Sequence, residues 1–358
     1  MSRFIQLHLL TTYPPSNPNR DDLGRPKSAR FGNAERMRIS SQSLKRALRT
    51  SEAFKQRLAG KTGERTQRLG RVILEHLLSR GMEEDKARET ARTIADIFGK
   101  LKKAKNNDDS PPVDLEQLAF ISPDERRKAL EMADKALAGE KLPDLKEMKK
   151  QVFRKADGAA DIAMFGRMLA DDPDYNREAA VQVAHAITTN RVTIENDYYT
   201  AVDDLKEPAE DAGAGFIGEL GFGSGVFYIY ACVNRDLLVE NLAGDTELAD
   251  TAIAALVEAL ATASPDGKKN SFAHGGRAEY ILAERGDQQP RTLAGAFLAP
   301  VGGENLMHDS IARLEKFRSD MDTAYGDCAD DCKRMQVGES GSLADIIAFC
   351  AGAAGGAE

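Results

Sequence analysis

The run Gly225-Val-Phe-Tyr-Ile-Tyr-Ala-Cys-Val233 constrains the fold more than any other part of the chain. Val226, Tyr228, Tyr230 and Cys232 alternate there with Phe227, Ile229, Ala231 and Val233, which is strand periodicity. The same reading places a first strand at Phe4–Leu10, with Ile5, Leu7 and Leu9 on one face. It finds further candidate strands at Ile162–Met168, Ala179–Val192 and Arg277–Glu284. Ser40 or Ser41 can cap a helix that begins near Gln42 and carries the apolar stripe Leu44, Ala47 and Leu48. Two more helices are predicted at Asp250–Ala263 and Leu306–Tyr325. The core order is strand, helix, strand, strand, helix, strand. That is the α+β, ferredoxin-like pattern.

Two excursions interrupt this order. Residues 62–155 are dense in charge and helical in period, with helices predicted at 65–80, 83–100, 123–139 and 143–154 and a turn-rich break at Asn106–Pro112. They read as a helical insertion. Residues 194–224 hold eight acids against one Lys, with many glycines. A connection that long between strands is usually functional or mobile. The expected organisation is a sheet domain in three parts, 1–61, 156–193 and 225–350. It carries the insertion 62–155 and the arm 194–224, and ends in a disordered tail of small residues, 351–358.

No stretch approaches the roughly 18 apolar residues of a membrane span. The first ten residues lack the apolar core of a signal peptide. Four cysteines in 358 residues make no disulfide framework, so a reduced cytoplasmic chain is expected. The net charge of −8 would argue against a nucleic-acid partner, but its distribution reverses that. Residues 1–50 hold ten Lys and Arg against three acids, a net +7, which leaves −15 for the rest. A basic segment on an acidic body reads as a local anion site.

The cations converge on Arg36-Met-Arg38-Ile-Ser-Ser-Gln-Ser-Leu-Lys45-Arg46-Ala-Leu-Arg49. Lys45 and Arg49 stack at i, i+4. A helix start with free amides, hydroxyls and neighbouring cations is a phosphate cradle. Arg20 and Lys27 lie in the loop just upstream. A solvated helix face is the plain alternative. The run Gly218-Glu-Leu-Gly221-Phe-Gly223-Ser-Gly225 is no phosphate loop, because no Lys follows and a strand comes next. The adjacent acid pairs point apart on any regular element and do not converge as a two-metal site would. Asp21 and Asp22, in a loop beside Arg20, are the one pair with a conceivable catalytic role. Cys328 and Cys332 find no partner pair for zinc and read as buried thiols. No metal or cofactor is expected, and the chain reads poorly as an enzyme. Tyr198 and Tyr199 stand together in the acidic arm. They either pack it onto the body or wedge against bases, which is tolerant of sequence.

Six stretches then follow in order: Asn19-Arg-Asp-Asp22, Arg38-Ile-Ser-Ser-Gln-Ser-Leu-Lys-Arg-Ala47, Asp161-Ile-Ala-Met-Phe-Gly-Arg-Met168, Ala184-His-Ala-Ile-Thr-Thr189, Thr200-Ala-Val-Asp-Asp-Leu205 and Ser224-Gly-Val-Phe-Tyr-Ile-Tyr230. Together they resemble the type I-E CRISPR Cascade backbone family, known as CasC or Cse-four. The resemblance covers most of 1–235, continues weakly to about 325, and is least in the insertion.

The resemblance implies an RRM-like, ferredoxin-like palm, helical fingers and a long hairpin thumb. It implies a non-catalytic subunit that polymerises head to tail along the spacer of a crRNA. Its partners would be the crRNA, the target DNA strand paired to it, neighbouring copies, and the large, small, crRNA-processing and 5′-end subunits. By position, Arg20, Lys27, Ser40, Gln42, Lys45, Arg46 and Arg49 would hold crRNA phosphates. Arg167 and Met168 would contact the RNA near its kink. Tyr198, Tyr199, Thr200 and Val202 fall on the thumb. The family carries Trp or a similar residue at the first aromatic, and this chain, which has no Trp, carries Tyr198. The wedge residue is open among them. Two other readings stand beside this one: a metal-dependent endoribonuclease using Asp21 and Asp22, and a general single-strand RNA-binding protein.

Overall fold

A computed structural model describes residues 2–103, 111–153, 158–169, 173–201 and 216–352. In chain order the strands are β1 (Phe4–Ser16), β2 (Ser28–Phe31), β3 (Ala34–Ile39), β4 (Glu64–Thr66), β5 (Ala119–Ile121), β6 (Val181–Val183), β7 (Ala186–Thr188), β8 (Glu195–Ala201), β9 (Phe216–Asn234), β10 (Ala278–Gly286) and β11 (Asp331–Gln336). The helices are α1 (Ser41–Arg49), α2 (Glu52–Arg57), α3 (Leu69–Ser79), α4 (Glu84–Ala95), α5 (Pro123–Leu137), α6 (Leu145–Val152), α7 (Ala160–Phe165), α8 (Arg235–Asn241), α9 (Thr246–Thr262), α10 (Lys269–Phe272), α11 (Leu306–Tyr325) and α12 (Leu343–Ala351). No helix among the described residues is long and apolar enough to cross a membrane.

The chain divides into two compact units. The first holds 1–55, 182–233 and 253–358. Its sheet runs β11-β10-β1-β9-β7-β3-β2, and the ladders β1–β10, β10–β11, β2–β3, β3–β7 and β7–β9 are antiparallel. β1 and β9 are central, and both alternating sets of side chains are buried over Ile5–Thr11 and Val226–Val233. Tyr228, Tyr230, Tyr280 and Leu282 form one core cluster with Phe297 and with Leu314 of α11. Burial on both faces forces the polar members of β1 to find partners. Gln6 Oε1 accepts from Tyr230 Oη (3.0 Å) and from the Arg291 amide (2.8 Å). His8 Nδ1 lies 2.8 Å from Tyr228 Oη, and its Nε2 lies 3.3 Å from Glu284. Arg291 and Arg318 also bind Glu284, each at 2.6 Å, and together with His8 they hold its carboxyl far below the usual carboxylate range against the opposing cost of burial. Burial keeps His8 neutral.

The second unit holds 56–181 and 234–252. Leu69, Ile73 and Leu77 of α3, Ala87, Ala91 and Ile94 of α4, Met132 of α5 and Met148 of α6 share one core. α5 starts with a capping box. Ser122 Oγ accepts from the Glu125 amide, Glu125 accepts from the Ser122 amide, and Pro123 fills the first turn.

Several elements differ from the sequence expectation. Ile162–Met168, expected as a strand, begins inside the helix α7, all six of whose residues are buried. A short, mostly apolar run fits either element. Ala179–Val192 breaks into β6 and β7. β1 runs on through Pro14 and Pro15, which is tolerated because its ladder with β10 ends at Thr11. Cys328 and Cys332, expected to be buried thiols, are half-buried.

Candidate nucleic-acid interface

The site grows from the start of α1. Ser40 caps the helix, its Oγ accepting from the Ser43 amide at 3.3 Å. Leu44, Ala47 and Leu48 face the core, so Gln42, Lys45, Arg46 and Arg49 fall on the other side. Gln42 and Arg46 are exposed, and Lys45 and Arg49 are half-buried. The first turn carries no acid to neutralise its amides.

The neighbouring loop is pinned to this helix start. Asn19 Oδ1 accepts from the Ser40 amide (2.8 Å), and Asn19 O accepts from the Lys27 amide (2.8 Å). Lys27 O in turn accepts from the Arg38 amide at 2.8 Å. Lys27, Arg38 and the first turn are thereby drawn together. His185, which follows β6, reaches the same point. Its Nδ1 lies 3.1 Å from Arg38 Nη1 and accepts from the Ser41 amide at 3.3 Å. Two donors on one nitrogen fix Nδ1 as an acceptor. Burial, Arg38 and Lys27 lower the His185 pKa, so the ring is neutral near pH 7.

Arg20, Ser43 and Arg46 line a cleft of about 460 Å³ with Asn19, Asp21, Asp22 and Asp266. Asp21 braces the loop itself: its Oδ1 accepts from the amides of Leu23 and Arg25, each at 2.9 Å. Among the described residues, no carboxylate pairs with Arg20, Lys27, Arg38 or Arg46. Arg36 is a different case, although it belongs to the same cationic run. It is fully buried, and its guanidinium donates to the carbonyls of Thr188, Thr189 and Phe297.

The arm rises beside this surface. β8 pairs antiparallel with the first residues of β9, Glu195 opposite Phe222 and Tyr199 opposite Gly218. Its root is tied to the basic loop, because Asn17 Nδ2 donates to both Gly24 O (3.0 Å) and Gly221 O (2.9 Å). Tyr198, Tyr199 and Thr200 are exposed on β8. Val202 lies outside the described residues.

Arg167 and Met168 belong to the second unit. Met168 is 83% exposed beside a cleft of about 350 Å³ that Arg65, Lys100, Leu118 and Phe120 also line. Arg167 departs from the expected RNA contact. Its guanidinium is buried against the Glu125 carboxylate at 2.7 Å and donates to Phe120 O. A buried carboxylate needs a buried cation, and Arg167 supplies it.

Sequence reasoning did not single out His185, Asn17 or Asn19, and it set Arg38 in the motif without a contact. His185 had a visible signal, since it lies within Ala184-His-Ala-Ile-Thr-Thr189. Asn17 had none, because its partners are Gly24 and Gly221.

An antiparallel sheet, an acid-free helix start ringed by cations, and a β-arm rooted beside it define a protein class with a face open to an extended anion. The chain belongs to the family described as CT1975-like protein, which it matches over residues 5–346. It is similar to a solved structure described as "CRISPR RNA-guided surveillance complex, pre-nicking", with 31% identity, a TM-score of 0.84 and coverage of 98% of this chain and 100% of that one. A second, described as "CRISPR RNA-guided surveillance complex", gives 27% identity, a TM-score of 0.74 and coverage of 98% and 99%. A search of curated proteins found no match.

Proposed function

We propose that this chain is a crRNA-binding, non-catalytic backbone subunit of a CRISPR surveillance complex of type I-E, cytoplasmic, and repeated head to tail along the spacer. The observation that carries this reading is the full-length likeness to a chain of an RNA-guided surveillance complex, end to end on both sides. The strand order β10-β1-β9-β7 supports an RRM-like palm, because it is the fourth, first, third and second strand of a ferredoxin-like sheet.

In this reading Arg20, Lys27, Arg38, Lys45, Arg46 and Arg49 hold successive phosphates, and Gln42 adds a polar contact. The first-turn amides of α1 add their dipole. Ser40 acts indirectly, by capping the helix that presents these groups. Met168 adds a contact to RNA, and Arg167 holds the segment that carries it. The arm, with Tyr198, Tyr199, Thr200 and Val202, parts the bases at intervals, leaving the rest to pair with target DNA. Protein contacts go to the backbone, and base pairing supplies sequence. Neighbouring copies and the other complex subunits are the protein partners. Asp21 and Asp22 do not favour the endoribonuclease, since Asp21 is engaged with its own loop.

The test is to purify the protein from its host and sequence the RNA that accompanies it. Uniform repeat–spacer fragments are expected. RNA of mixed cellular origin would overturn the assignment in favour of a general single-strand binder.

A further inference from the structure

The connection between α9 and β10 holds its backbone against local preference. Among the described residues three other than glycine have a positive φ, and two of them, Lys268 (53°) and Ala273 (50°), flank α10 here. Residues with a side chain rarely adopt that region, and such departures gather at functional sites. Glycine is not scarce in this segment. It stands instead at Gly267 and Gly276, where a Cβ would come within 2.2 Å of Pro18 O and 2.6 Å of Thr12 O. The segment is thereby seated on the end of β1 and on the basic loop. Phe272 ties it to the root of the arm, its ring centroid 6.1 Å from that of Phe222. His274 is buried below, with Nε2 3.1 Å from Pro265 O.

We propose that Lys268 binds a backbone phosphate of single-stranded RNA, beside the cleft wall that Pro265, Asp266 and Gly267 form with Arg20 and Arg46. The inference rests on the RNA-binding reading above and carries its phosphate path from α1 toward the root of the arm. A glycine would sit at 268 without strain. What the lysine adds is an ammonium group, half-buried and paired with no carboxylate among the described residues. Lysine holds a phosphate as a point charge, so the contact reads the backbone and not the base. Its neighbour has another partner. Lys269 is exposed and lies 3.7 Å from Asp266. Asp21, Asp22 and Asp266 put negative charge on the cleft, and each repels a phosphate. Asp21 is engaged with the amides of its own loop. Lys269 offsets Asp266 only in part, because an exposed pair is weak. Lys268 thus serves the ligand, and Lys269 serves the protein's own acid.

Lys268→Gly removes the ammonium and the strain together. The full chain is titrated with fluorescein-labelled single-stranded RNA of mixed sequence at several salt concentrations, with label anisotropy as the readout, and its thermal midpoint is measured beside it. The expected result is a raised midpoint with RNA affinity lowered about tenfold. The slope of log affinity against log salt should fall by about 1, the mark of one lost phosphate contact. A lowered midpoint, or an unchanged affinity and slope, overturns the inference and leaves the RNA-binding reading standing. Lys268→Arg keeps the charge and should keep both affinity and slope. Lys268→Gln covers the case in which glycine loosens the loop. It retains a side chain at 268 without the charge and should lose the same slope, and an unchanged slope overturns the inference. Asp266→Asn should raise affinity, and a fall would overturn the role given to Lys269. No anisotropy change in the unsubstituted chain would overturn the RNA-binding reading and the inference with it.

Discussion

Asn17 and Gly221 are 204 residues apart in sequence and joined by a buried hydrogen bond of 2.9 Å. The same amide donates to Gly24 O, so one side chain fastens the basic loop and the root of the arm together. Asn17→Ala removes both bonds and leaves two carbonyls without their donor. Each such loss costs about 1–3 kcal/mol. The expected outcome is a lower thermal midpoint, with amide exchange quickening in residues 19–27 and in β8 at once. Quickening in one segment alone would break the proposed link.

On the RNA-binding reading, His185 should make RNA affinity depend on pH. Its pKa in the free protein is pushed below 6.5 by burial, Arg38 and Lys27. A phosphate docked among these cations would raise it again. Binding is then accompanied by proton uptake, so affinity rises as pH falls below about 7. His185→Ala should flatten that rise. The residue's effect on stability has the opposite sense. A folded pKa below the unfolded value means its contribution is full above 6.5 and is lost as pH falls from there toward the folded value. Anisotropy titrations across pH, read beside denaturation midpoints, check both directions.

Lys27→Ala with Arg46→Ala should weaken RNA binding equally for unrelated sequences. Two lost phosphate contacts should reduce the slope of log affinity against log salt by about 2. A loss confined to particular sequences would contradict backbone gripping.

Glu125→Gln tests the inward position of Arg167. Breaking a buried ion pair costs about 3–5 kcal/mol, because a charge is left without its counterpart. The denaturant midpoint should fall sharply, while the salt slope of RNA binding per folded molecule, which counts phosphate contacts, stays unchanged. An unchanged midpoint with lost RNA binding would return Arg167 to the interface.

Much of this was legible in the sequence, and the rest was hidden for identifiable reasons. Leu306–Tyr325 was expected as a helix and is one with those same ends, since its period is unbroken. α1 and its cap were readable from Ser40 and the Leu44, Ala47, Leu48 stripe. β2 and β3 were hidden because Arg30, Arg36 and Arg38 read as a charge cluster. Nothing in a sequence distinguishes the fully buried Arg36 from Arg38, two residues on, at the surface. The carbonyls of Thr188, Thr189 and Phe297 decide it. β11 and α12 were overlooked near the C-terminus, where polar and small residues carry little period. In the candidate site, side chains that act by their own charge were visible. Those that act by fastening distant backbone, Asn17 and Asn19, were not.

β9 serves two structures with one backbone. Its first residues pair with β8 in the arm, and its later ones lie in the centre of the sheet between β1 and β7. One unbroken strand carries both, with Gly218, Gly221, Gly223 and Gly225 along the passage from one to the other. A load on the first residues is therefore passed down the same backbone toward the ladder with β7, and the glycines, which have no side chain to stiffen them, set how much of it is taken up as bending.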